Sequence, residues 1–95
     1  MFIILLKFSD NKSQAGQYMA GHKEWIQRGF ADGVFLMVGS LQPNQGGAIL
    51  ANDTTLEDLQ NRVNDDPFVA ENVVTADILG ISPNQTDERL KFLLP

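Results

Sequence analysis

The chain has no cysteine, one histidine, one tryptophan and one tyrosine, and only seven lysines and arginines among 95 residues. Without cysteine, a disulfide scaffold, a zinc–thiolate centre and a thiol nucleophile are all excluded. One histidine among scattered carboxylates gives no spacing suited to a catalytic zinc site. No GxGxxG follows a strand, no P-loop lysine is present and no GxSxG elbow occurs, so no cofactor is expected. Twelve acidic residues leave a formal net charge of −5. The basic residues Lys7, Lys12, Lys23, Arg28, Arg62, Arg89 and Lys91 form no stripe, so nucleic acid is not an expected partner. No apolar run approaches the roughly 20 residues that cross a bilayer. The Phe2–Leu6 run has neither a basic residue before it nor a small-residue cleavage site after it, as a secretory leader would. A soluble, cytoplasmic protein with no membrane partner is the expectation.

What is present reads as one domain over residues 1–95, since a domain usually needs about 100 residues. A chain this short buries only roughly 60–65% of its unfolded surface, so self-association is the expected supplement to a thin core. Phe2 to Phe8 reads as a strand. From Ser13 to Phe30 the apolar residues Ala15, Tyr18, Met19, Trp25, Ile26 and Phe30 recur at helical intervals, with Gly29 or Gly33 available to stop the helix. Val34–Leu41 and Ala48–Ala51 read as two strands around the turn-forming Gln42–Gly47 segment, a hairpin. Thr54-Thr55-Leu56-Glu57 has capping-box spacing, and Leu56, Leu59 and Val63 give the helix after it a buried face. Asp65-Asp66-Pro67 stops that helix. A short turn leads to a fourth strand over Val73–Ile81.

This β-α-β-β-α-β order is the ferredoxin-like α+β arrangement, an antiparallel sheet with both helices on one face and the first and third strands in the centre. One face of such a sheet should be polar. Phe2-Ile3-Ile4-Leu5-Leu6 and Val34-Phe35-Leu36-Met37-Val38 do not alternate, so both faces need cover. A homodimer is the simplest source, burying roughly 800 Å² per partner. The apolar tail within residues 84–95 (Leu90, Phe92, Leu93, Leu94) is expected to pack on that partner.

Two residues stand out for chemistry. His22 falls on the apolar stripe of the first helix, where an oriented imidazole can carry a proton near neutral pH. The alternative is a structural histidine bonded to a backbone carbonyl. Asp66, held before Pro67, suits a carboxylate that fixes an imidazole tautomer. It equally suits an N-cap with Pro67 opening a short helix, and Asp65 is a neighbouring alternative. Ser40, Trp25 and Gly47 are candidate substrate-binding residues. A glycine pair in a turn is otherwise explained by positive φ, and Trp25 by the core.

Taken in order, these residues resemble the YciI-like (YCII-related) family. The matching features are Met1-Phe2-Ile3-Ile4, His22 with Trp25-Ile26, Gly33-Val34-Phe35 leading to Gly39, and Pro43. Gly46-Gly47-Ala48-Ile49-Leu50-Ala51 and Asp66-Pro67-Phe68-Val69 complete the set, which runs from residue 1 to about residue 83. The resemblance implies a ferredoxin-like fold, a dimer of the α-β barrel type, and His22 with Asp66 as the catalytic pair. Ser40 stands where the family usually has proline, and Asn72 where glycine is common. The function expected is a cofactor-independent enzyme using this pair for acid–base chemistry, of lyase, isomerase or hydrolase type, on a small organic molecule. A non-catalytic dimeric module that binds a small ligand or regulates a partner is the alternative.

Overall fold

The computed structural model describes residues 1–95. Strand β1 (Phe2–Phe8) leads through a 3₁₀ turn (Lys12–Gln14) into helix α1 (Ala15–Ala31). Strands β2 (Phe35–Leu41) and β3 (Gly46–Ala51), helix α2 (Leu56–Asn64), the one-turn helix α3 (Pro67–Ala70) and strand β4 (Val74–Gly80) follow, and a 3₁₀ segment (Glu88–Leu93) ends the chain. The sheet runs β2-β3-β1-β4 with every pairing antiparallel. This is the ferredoxin-like order, with β1 and β3 central.

Local chemistry explains the boundaries. Helix α1 buries Trp25 and Gly29 and half-buries Ala15, Tyr18, His22 and Ile26, while Met19 and Phe30 lie exposed at the margins of that stripe. Gly33 ends the helix at φ 74°, a left-handed conformation that costs glycine little. Gly29 is required for space instead, because a Cβ there would run into the Phe35 ring. The start of α2 differs from expectation by one residue. Thr55, with an extended backbone, accepts the Asp58 N–H on its hydroxyl at 3.1 Å, so Thr55 and not Thr54 is the N-cap.

The core lies between the helices and one sheet face, where Ile4, Leu6, Phe35 and Ile49 meet Trp25, Leu59, Val63 and Phe68. Only 15 of 95 residues are buried, which makes the core as thin as the chain length requires. The opposite face is bare. Register puts Ile3, Leu5, Met37, Leu50 and Leu79 there together, and Met37 and Leu79 are 57% and 48% exposed. An irregularity between Phe35 and Met37 shifts the β2 register, so Phe35 faces the helices and Met37 the bare side. In the tail, Leu93 is buried in its own chain, close to Met1 and Ile81, whereas Leu90 and Phe92 are exposed. No helix is long and apolar enough to cross a membrane.

Candidate active site

His22 sits midway along α1, and Asp66 is 44 residues further on, at the junction of α2 and α3. The packing of α1 on α3 brings the two side chains together, with Nδ1 of His22 2.8 Å from Oδ1 of Asp66. An ionised carboxylate only accepts, so Nδ1–H is the donor and Nε2 is left as the nitrogen able to take a proton. Asp66 is fully buried. The same Oδ1 accepts the Phe68 N–H at 3.0 Å, and Pro67 occupies the first helical position of α3. The cap reading and the partner reading of Asp66 are thus both realised, by one oxygen. Asp65 is exposed at the C-terminal cap of α2 and does not reach the imidazole.

Phe68 is the neighbour that sequence reasoning leaves without a role. Its ring stacks on the imidazole at 3.9 Å between centroids and 3° between planes. The turn from Asp66 to Phe68 therefore holds His22 twice, at Nδ1 through the carboxylate and across its face through the aromatic ring. An aromatic two residues after a capping acid is the signal that could have found it, because the cap bond ties that residue's backbone to the acid. Asp66 Oδ2 is buried and has no hydrogen-bond partner. Compensation for burying the carboxylate accordingly falls on Oδ1, which takes both the ring and the amide.

His22, 13% exposed, lines a cleft of about 320 Å³ between α1 and the helix-facing side of the sheet. Leu6, Phe8, Met19, Ile26, Val38 and Ile49 supply most of its apolar wall, and Phe68 and Val74 close it beside the imidazole. Ser40 and Gly47 face each other across the β2–β3 pair and also line it. Positive φ explains Gly46 (127°), where a Cβ would meet the Leu6 carbonyl, and it does not explain Gly47. At Gly47 the backbone itself forms part of the cleft.

Trp25 lies beside His22, with 6.0 Å between ring centroids and 22° between planes, but it does not line the cleft. It is 2% exposed, and its indole N–H donates to the Arg62 carbonyl at 2.9 Å. Three residues beyond His22, almost a full helical turn, its ring points at α2 and meets Phe35 edge-on at 5.1 Å. It borders instead a larger, open groove of about 740 Å³ whose other walls include Arg28, Asp32, Asp53, Asp58 and Arg62. There Arg62 and Asp32 pair at 2.9 Å, in a solvated and strongly polar setting. No three side chains of metal-binding type gather anywhere in the structure.

No protein-family model matches the chain, and none of the curated proteins matches its sequence. Among solved structures, the fold is similar to 5-chloro-2-hydroxyhydroquinone dehydrochlorinase (TftG) from Burkholderia phenoliruptrix AC1100, determined in complex with 2,5-dihydroxybenzoquinone. The TM-score is 0.68 at 11% sequence identity, over 85% of this chain and 93% of that one. The likeness is one of fold.

Proposed function

We propose that the chain is a cofactor-independent enzyme of the YciI-like family, acting on a small organic molecule by acid–base chemistry, with His22 as the proton carrier and Asp66 as its positioning residue. The observation that carries this reading is the 2.8 Å Nδ1–Oδ1 contact at the wall of an open cleft. Nε2 takes a proton from substrate carbon or oxygen, and the resulting imidazolium is stabilised by the buried carboxylate. The electron pair left on the substrate then expels a leaving group, as in a lyase, or accepts the proton back at another atom, as in an isomerase. With water as the molecule deprotonated, the same pair serves hydrolysis. In this reading Ser40 and the Gly47 backbone, which line the cleft, hold a polar atom of the substrate. Proton transfer contributes roughly 10²- to 10⁴-fold, so positioning and polarisation in the cleft supply the rest. The fold likeness to a dehydrochlorinase supports small-molecule chemistry in this architecture.

The active form is a homodimer joined through the bare sheet face, whose apolar side chains otherwise stay in water. A panel of small enols, phenols and halogenated or hydroxylated rings tests the catalytic reading. His22→Ala and Asp66→Asn should keep substrate affinity within a few-fold and lower turnover by at least roughly 10²-fold. Saturable binding at His22 with no turnover by the natural chain across the panel would favour the ligand-binding module instead.

A further inference from the structure

The cleft is sorted by charge. None of the side chains that line it is a lysine, arginine, aspartate or glutamate, and His22 is its only titratable group. The larger groove is the opposite, with Arg28 and Arg62 set among several aspartates. Lys12 lies 4.5 Å over the ring of Phe8, itself a wall residue, and is not part of the wall. The His22–Asp66 pair supplies no positive charge either. With a neutral imidazole the pair is −1, and with an imidazolium it sums to zero. An anion entering this apolar hollow would lose its hydration and find no counter-charge on the wall itself, Lys12 standing outside it behind the Phe8 ring. The chain's net charge of −5 opposes its approach as well.

Size and polarity narrow the class further. A cavity of about 150 Å³ holds a benzene ring, so about 320 Å³ holds one ring with a few substituents. The polar side chains are those of His22 and Ser40, and with the backbone of Gly39, Gly46 and Gly47 they interrupt an otherwise apolar wall. We propose that the cleft takes an uncharged, ring-sized molecule bearing a hydroxyl or carbonyl group and rejects its carboxylated counterparts. This selection rests on the reading of the cleft as the substrate site and specifies the substrate class.

The lone histidine gives a clean readout, because a single imidazole Hε1 resonance reports the cleft. Methyl 4-hydroxybenzoate and 4-hydroxybenzoate have nearly the same size and differ in charge, and each is titrated into the full chain near neutral pH. The ester should move the His22 resonance saturably, and the acid should bind at least tenfold more weakly. Ser40→Lys, at an exposed position on an edge strand, should raise affinity for the acid at least tenfold. Equal binding of acid and ester, or no gain for the acid in Ser40→Lys, overturns the charge selection and leaves the site reading standing. If neither probe moves the resonance, the site reading falls and the selection with it.

Discussion

Asp66 has two duties that substitution can separate. Asparagine keeps an oxygen for the Phe68 N–H, whereas alanine removes the cap and the imidazole's partner together. An N-cap is worth typically about 1 kcal/mol and a hydrogen bond to a charged group about 1.5–3. Asp66→Ala should therefore cost about 2–4 kcal/mol in urea unfolding, and Asp66→Asn clearly less. Equal costs for the two would show that the cap contributes nothing. Both residues of the pair were visible in the sequence for separable reasons, a histidine on an apolar helical stripe and an acid fixed before proline. Their meeting was implied by the family resemblance and not by spacing, because a separation of 44 residues is closed by packing between α1 and α3 and leaves no local periodicity. Spacing likewise leaves open which surroundings Trp25 serves. A stripe wide enough to include it and His22 spans two surroundings, the cleft and the α2 contact, which spacing alone does not distinguish.

The elements themselves were legible wherever one period dominated. Apolar runs marked β1, β2 and β4 to within a residue or so, and i, i+3, i+4 spacing marked α1 and α2. The ends were harder, since caps depend on a single backbone conformation. Thr54 and Thr55 are equally good cap residues by type, and only the extended backbone of Thr55 decides between them. Thr55→Ala should lower stability by about 1 kcal/mol, and Thr54→Ala, which leaves the Asp58 N–H bond intact, by a few tenths at most. Thermal or urea unfolding of the two single variants measures the difference, and a larger loss from Thr54→Ala would place the cap where the spacing put it. Asn72 shows why a departure from the expected glycine is tolerated. Its φ of 59° is left-handed, and asparagine enters that region more readily than other side-chain-bearing residues.

At the scale of the whole molecule, the sheet has a covered side and an uncovered one. Ile3, Leu5, Leu50 and the largely exposed Met37 and Leu79 form an apolar surface with no helix over it. Sedimentation at micromolar concentration should give twice the 10.5 kDa chain mass, and Met37→Lys should shift the protein toward monomer with its circular dichroism unchanged. A stable 10.5 kDa species from the natural chain would remove the homodimer. The same sheet is also the floor of the cleft. Leu5 and Leu6, or Ile49 and Leu50, are successive residues on one strand that look in opposite directions, so a single thickness of backbone divides the two compartments. Pressure applied to one side of so thin a partition is felt on the other. The shape of the hollow that receives a guest is thus set partly by whatever rests against the back of its wall.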